Sequence, residues 1–479
     1  MNVLLLPTWH DNSNPKNQVD STLALTKLLL SNDEQVLAVL SEYLPKFRSW
    51  LAQAEIEKIQ YWSAFDALQQ VTLTDCKPLR LDDFTWPAGA QFIRMYDRIV
   101  VLADLTHYAT VYFTYPAADM IDRIDLLQHG KPYKQLTIDD RGFVSRVLTY
   151  DDNQLIEIAY LSQSGFVVAQ QDYRTGLVEA QLPDGSTQNL SSMNELIRGL
   201  VVEHLLAAKE VETVLVEPNA DNLAIAEQIQ RHQPVLVLDY PNFGADLNQE
   251  VSRKEIEEFD TVSGQNRLDD QHLASKNLVL GPYEVDLSQK KSQPKGQFVC
   301  YWRLGLMSAD YANHIFTALF EIAMKNPQFT LVVENDMWQV GFQQLLADKL
   351  DLIKQVGDLS EERQEVLASQ FVLIDWQNSQ QQHAYLDTAA VVLDLADQVD
   401  LSLHAQALAH AVPMLTKVKT AYQLGDAQQI QSTKDLVDRL EWLLNQENWQ
   451  MSQQKLLDLQ LDFTKDKLSQ RWLAALQNI

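Results

Sequence analysis

Glycine is scarce at the start of this 479-residue chain, and the first one is Gly89. The apolar run that opens the sequence, "NVLLLPTW", is therefore followed by no GxGxxG and no Gly-Gly turn, which excludes a glycine cradle for phosphate at that point. Cysteine is scarcer still. Cys76 and Cys300 lie far apart and form no CxxC pair, which reads as two buried free thiols in a reducing compartment. Positive charge is in deficit: 38 Lys and Arg stand against 65 Asp and Glu, for a formal net charge of −27. That balance excludes nucleic acid as a direct partner, because such binding depends on neutralising phosphates. It also disfavours unassisted docking on an anionic lipid surface, and a basic partner fits better. No run of roughly 18 or more apolar residues occurs, so no membrane-spanning helix is expected. The N-terminal run has no basic flank and ends at Pro7, so it reads as a core strand and not as a signal peptide. The ten histidines include no HxxxH or HExxH spacing, and no GxSxG elbow is present. Neither a zinc site nor a serine-hydrolase nucleophile is expected.

What is present is an alternation of textures. The opening strand, a helix over Ser21 to Leu30 and a helix over Glu55 to Gln70 suggest an α/β unit. The second of these helices rests on Ile56, Ile59, Trp62, Phe65 and Leu68 at three-residue spacing. From Gln91 to Leu190 the pattern turns to strands, with turn signals at Gln128-His129-Gly130, Asp140-Arg141-Gly142 and Asp184-Gly185. This predicts an antiparallel sheet, in which the acidic pairs Asp139-Asp140 and Asp151-Asp152 are solvated turn residues. From about Met193 the α/β texture returns and closes at "NLVLGPYEVD". The polar linker "LSQKKSQPKGQ" then leads to a second α/β unit that opens at "FVCYWRLGL". Leu457, Leu461, Leu468, Trp472 and Leu476 form one helical stripe at the C-terminus. The predicted organisation is a first Rossmann-like lobe over 1–80 and 193–286, an inserted extended β-sheet domain over 81–192, a second Rossmann-like lobe over 297–450, and a C-terminal helix over 451–479 packing across the lobes. Ligands of such folds bind at the carboxyl ends of the strands.

Within the second unit, "AAVVLDLA" is followed by "DQVDLSLHAQALAHAVP" and then "ML". This layout of strand, turn, helix, Pro and strand resembles the donor-sugar loop of a GT-B glycosyltransferase. Such a loop carries two glutamates eight positions apart, and Gln398 and Gln406 stand at those places. The second-lobe opening of retaining GT-B enzymes resembles "GRLxxxKG"; here it reads "WRLGLMSA", with Arg303 at the Arg place, Trp302 at the Gly and Ser308 at the Lys. A hydrogen bond to a charged group contributes roughly 1.5–3 kcal/mol. Losing two such bonds weakens donor binding by about 10²- to 10⁴-fold. Asp400 is expected to cap the helix that starts near Leu401, which turns its N-terminus away from a diphosphate. The residues left to contact a ligand are Arg303, His404, Gln398 and Gln406, with Trp9 and His10 of the Trp9-His10-Asp11 trio at the first strand's end. No catalytic set, metal or cofactor is expected.

The string "RIDLLQHGKPYKQLTIDDRGFVSRVLTYDDNQLIEIAYLSQSGFVVAQQDY" resembles the extended β-sheet domain of the glycosyltransferases that modify serine-rich repeat adhesins. With "YLPKFRSWLAQAEIEKIQYWSAFDALQQV" and the degenerate loop, the chain resembles the family of first accessory secretory proteins of the accessory Sec system. The resemblance implies a GT-B-like fold and a non-enzymatic role in exporting a glycosylated serine-rich repeat adhesin, with recognition of its N-acetylglucosamine. The implied partners are the second and third accessory secretory proteins, the accessory SecA motor and the adhesin. The implied location is cytoplasmic, peripheral at the inner face of the membrane through the complex. Two alternatives stand beside it: an active glycosyltransferase or a non-catalytic subunit of one, and a scaffold whose function lies in its surfaces.

Overall fold

A computed structural model describes the chain except for residues 1, 12–19, 76, 115–119, 183–184, 209–212, 241–252, 257–258, 264–276, 290, 293–295, 306, 336–340, 357–359, 376–378, 426–427 and 478–479. Cys76 and Asp184 thus lie outside the described residues.

The first sheet is built from β1 (Asn2–Leu6), β2 (Gln35–Leu40) and β3 (Gln60–Ser63). The chain then enters a ten-stranded sheet, β4 to β13, running from Gln91 to Leu190, and returns to the first sheet with β14 (Thr213–Val216), β15 (Val235–Asp239), β16 (Asp260–Ser263) and β17 (Asn277–Val279). The order of the first sheet is β17-β16-β15-β14-β1-β2-β3, and its strands pair in parallel from β17 to β15 and from β14 to β3. Its helices are α1 (Ser21–Leu30), α2 (Phe47–Ala54), α3 (Ala64–Leu68), α4 (Met193–Ala207), α5 (Ala220–Ile229) and α6 (Arg253–Ile256). The last sheet has the order β20-β19-β18-β21-β22, from β18 (Phe298–Arg303), β19 (Phe329–Asn335), β20 (Phe371–Asp375), β21 (Ala389–Asp394) and β22 (Met414–Thr416), again parallel. It carries α7 (Ala309–Lys325), α8 (Phe342–Val356), α9 (Glu361–Ser369), α10 (Ser379–Leu386), α11 (Leu401–Ala409), α12 (Thr433–Leu444) and α13 (Gln446–Gln460), and the chain ends in α14 (Lys465–Gln477), whose Ser469 accepts from Asn32 just after α1. The two parallel sheets are therefore Rossmann-type, each with its strand order reversing beside its first strand.

Contact density divides the chain into two units. One comprises Met1–Lys16, Glu34–Val235 and Gln249–Val251; the other Asn17–Asp33, Leu236–Asn248 and Ser252–Ile479.

In the first unit, the ten-stranded sheet is an antiparallel meander in strict sequence order. Three of its tight turns use two consecutive left-handed residues: Asp104 and Leu105, His129 and Gly130, Asp152 and Asn153. That backbone matches the twist of flanking strands. The helix expected over Glu55 to Gln70 is not formed. Glu55 takes φ 61° and ends α2, Gln60–Ser63 pair with β2, and Ser63 caps the short α3. Three-residue apolar spacing is shared by a strand running into a helix, and the sheet edge decided the outcome. The acidic pair Asp139-Asp140 also departs from expectation, since both side chains are buried. Arg141 reaches Asp139 and Asp66 at 2.6 to 2.8 Å, and Asp140 accepts from the Ser49 amide at 2.9 Å and its hydroxyl at 3.0 Å. The buried Lys46 ammonium donates to the Ile138 and Ile121 carbonyls, and Tyr43 meets Ser145 at 2.5 Å. Gly142 sits at φ 91°, where a Cβ would come within 2.2 Å of the Lys77 carbonyl oxygen. The meander is thus fixed to α2 and α3 by buried charge as well as by apolar packing. Asp151 and Asp152 remain exposed, as expected of turn residues.

In the second unit, Trp302, Phe316, Phe320, Phe329 and Phe371 anchor one apolar core around β18 and α7. Cys300 is buried there as a free thiol. The C-terminal stripe is not one helix: α13 ends at Gln460, Leu461 is exposed, and α14 starts at Lys465. Leu468, Trp472 and Leu476 do share the buried face of α14. Trp472 Nε1 donates to the Gly281 carbonyl at 3.1 Å, and Tyr422 brackets Tyr283 through its amide and carbonyl at 2.7 and 2.8 Å.

Candidate functional site

In a doubly wound sheet the ligand crevice opens where the strand order reverses. In the second unit that point lies between β18 and β21, whose last residues, Arg303 and Asp394, are register partners. The five apolar residues Ala389 to Leu393 carry β21 straight through the core, and Asp394 is the polar residue at which that strand stops. Arg303 holds the same position on β18.

The space between them is filled from within the chain. Arg303 is 3% exposed and its Nη1 pairs with Asp400 Oδ2; Asp400 is 1% exposed. The other oxygen, Oδ1, accepts from the amides of Ser402 at 2.9 Å and Leu403 at 3.1 Å, so Asp400 is the N-cap of α11. The Asp400 amide donates to Asp394 Oδ2 at 2.8 Å. His404 is fully buried; Nε2 lies 3.1 Å from the same Asp394 oxygen and Nδ1 lies 3.0 Å from Thr420 Oγ1. A carboxylate only accepts, so Nε2 donates to Asp394. Arg303 and His404 are thus brought together, through two aspartates.

A second chain of polar groups runs beside the first. Tyr301 donates to Glu334 Oε2 at 2.5 Å, Gln382 reaches the same oxygen at 3.5 Å, and Gln406 Nε2 reaches Gln382 Oε1 at 3.3 Å. Burial, together with the Glu334 charge, pushes the Tyr301 hydroxyl far above its ordinary range. Gln406 is 8% exposed and its Oε1 has no hydrogen-bond partner among the described residues. Gln398 is half-buried on the loop before α11, where Asp397 pairs with Lys417 at the surface. Ser308, at the place of the expected lysine, accepts from the Tyr311 amide and caps α7. A position that would supply a cation instead starts a helix.

The first unit repeats the theme. Its order reverses between β1 and β14. The Thr8 amide, the first donor after β1 and Pro7, is taken by Glu217 Oε2 at 2.8 Å. Of the Trp9-His10-Asp11 trio, only His10 is exposed. Trp9 packs on Phe47 and Trp50 with centroids 6.2 and 5.2 Å away. Asp11 accepts from the Lys46 amide, and burial raises its carboxyl to about 6.

Sequence reasoning missed Asp394, Thr420, Glu334 and Gln382. Asp394 and Glu334 had a signal, since each is an acid inside an apolar strand; Thr420 and Gln382 had none. Among the described residues no group of three or more His, Cys, Asp or Glu is placed to hold a metal. No described helix is long and apolar enough to cross a membrane.

With this geometry in view, comparison with known proteins is specific. The model of an accessory Sec system protein family, that of accessory secretory protein 1, matches residues 7–478. The corresponding accessory Sec system protein of Streptococcus gordonii is 24% identical over 455 residues, covering 86% of this chain and 85% of its own. The structure of accessory secretory proteins 1, 2 and 3 from Streptococcus pneumoniae superposes with TM-score 0.66 at 14% identity, over 100% of both chains. The pneumococcal O-GlcNAc transferase GtfA, solved with UDP and GlcNAc, superposes with TM-score 0.70 at 11% identity, over 100% of this chain and 99% of that one. The fold is therefore glycosyltransferase-like.

Proposed function

The chain belongs to the accessory Sec system protein family of accessory secretory protein 1, and from that premise we propose that it is a non-catalytic export factor built on a GT-B-type frame. The observation that carries this reading is the Arg303–Asp400 pair. In a donor-using enzyme the cation at that place meets the leaving diphosphate. Here it is matched inside the protein by an aspartate that also caps α11, and the neighbouring Asp394 adds a second negative charge.

The solved relative is a complex of accessory secretory proteins 1, 2 and 3, which supports the second and third of these as partners. In the proposed role the chain acts with them on a glycosylated serine-rich repeat adhesin and delivers it to the accessory SecA motor. The location is cytoplasmic, at the inner face of the membrane through the complex and not through a span of its own. The crevice that no longer holds a donor is proposed to read N-acetylglucosamine on the adhesin. In the second unit Gln398 and Gln406 are the proposed contacts, the first half-buried and the second with an acceptor unpaired among the described residues; in the first unit the exposed His10 is proposed as a separate contact. Arg303 and His404 are proposed to shape the second unit's crevice from behind, and Trp9 to support His10 in the first unit.

Titration calorimetry with a serine-rich peptide, bare and carrying N-acetylglucosamine, and with a uridine-diphosphate sugar tests this. Binding of the glycopeptide alone is the expected result. Micromolar donor binding, or release of nucleotide with a mass gain on the peptide, overturns it in favour of an enzyme.

A further inference from the structure

We propose that His383 and His410 of the second unit form an acid-sensitive clasp: sharing one proton, the pair holds the polar linker at Lys291 and Ser292 against the end of α11, and on taking up a second proton it lets the linker go. The inference is independent of the crevice reading above, since His410 closes the end of α11 opposite to Asp400.

The last carbonyls of a helix have no partner within it. At the end of α11 the linker supplies donors for two of them. Lys291 Nζ donates to the Ala409 carbonyl at 2.7 Å, and the Ser292 amide donates to the His410 carbonyl at 2.9 Å. Ser292 is 1% exposed, so this docking is enclosed. His410 is the C-cap of α11 and is buried to the same degree. Both nitrogens of its ring face α10. Nε2 lies 2.8 Å from His383 Nδ1, and Nδ1 lies 3.4 Å from Asp387 Oδ1. A nitrogen–nitrogen contact of that length needs one proton between the two atoms, whichever ring supplies it. Two imidazolium rings would instead turn two N–H groups on one another across the same 2.8 Å. The pair therefore titrates as a unit, and its second proton breaks the contact. Among the described residues, the charged groups facing it are Asp387 on α10, Asp286 ahead of the linker, and Lys291, which sits on the Ala409 carbonyl. Burial holds the His383 imidazole below its ordinary range, against the pull of Asp286 and Asp387. From α13, Gln453 and Gln460 reach the Ser292 and Ala409 carbonyls and bring no charge. The opened pair binds the second proton more tightly than the closed one. The clasp is thus fully held above the ordinary histidine value of about 6.5 and is lost as pH falls below it.

The test is hydrogen exchange at the Ser292 amide of the full chain, corrected for the intrinsic effect of pH on exchange. In the parent chain protection should be nearly level from about pH 8 to 7 and should fall by about 3- to 10-fold between about pH 6.5 and 5.5, because one extra proton per opening is worth at most about tenfold per pH unit. His383→Gln offers His410 an amide donor that does not titrate, and in this variant the fall should disappear. The slope is read and not the level, so a variant that is uniformly looser still decides the question. His314→Gln, on the exposed face of α7, should keep the fall seen in the parent. Asp11, whose carboxyl burial raises to about 6, steadies the fold in acid and cannot imitate the slope. His204 is also held below its ordinary range by burial, but a slope that it produced would survive in His383→Gln. A parent chain with no fall overturns the inference, as does a fall that persists in His383→Gln or one that vanishes in His314→Gln.

Discussion

Asp11→Asn is expected to stabilise the first unit at neutral pH and to do nothing in acid. Asp11 is enclosed with Lys46, Asp140 and Asp122, and burial is the main cause that raises its carboxyl from 3.8 to about 6. The native state therefore binds this proton more tightly than the unfolded chain does. Its contribution is fully present below the unfolded value of 3.8 and is lost as pH rises through about 6. A shift of about two units corresponds to roughly 3 kcal/mol at 1.36 kcal/mol per unit, and the partial exposure of the side chain brings this nearer to 1–2 kcal/mol. Asparagine keeps an acceptor for the Lys46 amide and has no proton to lose. The difference between variant and parent should be near zero at about pH 4 and should grow to roughly 1–2 kcal/mol by about pH 7.5. Asp140 is also raised, mainly by burial, and adds a slope of the same sign to both proteins. Native-state hydrogen exchange of the segment bearing Lys46 and Ser49 reads the local opening energy directly. A variant that is less stable at neutral pH, or a difference that does not change with pH, would refute the reasoning.

Lys46→Met leaves several acidic groups facing one another, and equilibrium unfolding should show a loss of about 3–5 kcal/mol. Gly142→Ala adds a Cβ 2.2 Å from the Lys77 carbonyl oxygen at φ 91°; unfolding should record a loss of at least about 1–3 kcal/mol. Gly281→Ala meets the Tyr422 hydroxyl at 2.3 Å, and should release α14, read as faster exchange of the Trp472 indole proton. Cys300 is buried, which raises its thiol well above its ordinary range. A thiol reagent should leave it unmodified until denaturant is added; labelling of the native chain at the rate of a free thiol would contradict this.

The parallel strands were legible because they are short, apolar throughout and bounded by turn residues. The run "AAVVLDLA" leaves little choice between a buried strand and anything else. The meander was legible from its turns, where Gln128-His129-Gly130 falls on a left-handed pair. The misread helix at Glu55 to Gln70 shows the limit of periodicity, because Trp62 and Phe65 keep the same spacing across a strand-to-helix junction. Asp139 and Asp140 show another limit. Arg141 stands beside them, but nothing adjacent in sequence announces that Ser49 and Asp66 join the cluster. In the candidate site, the capping role of Asp400 was legible from its place before an apolar helix. Its second partner was not, because Arg303 is 97 residues away and only the pairing of β18 with β21 brings the two together.

The strict sequence order of the meander has a consequence for biogenesis. Each of its strands finds its partners next to it in the chain, so the meander can form as soon as its hairpins are made. The strand β1 must wait, since its Val3 pairs with Thr213 on β14. During N-to-C synthesis the first parallel sheet therefore cannot close until the meander has emerged. Folding of this chain should pass through a stage in which the inserted strands are ordered while the first apolar strand still lacks one of its two neighbours. That interval, and not the finished protein, is when the segment "NVLLL" is most open to misassociation.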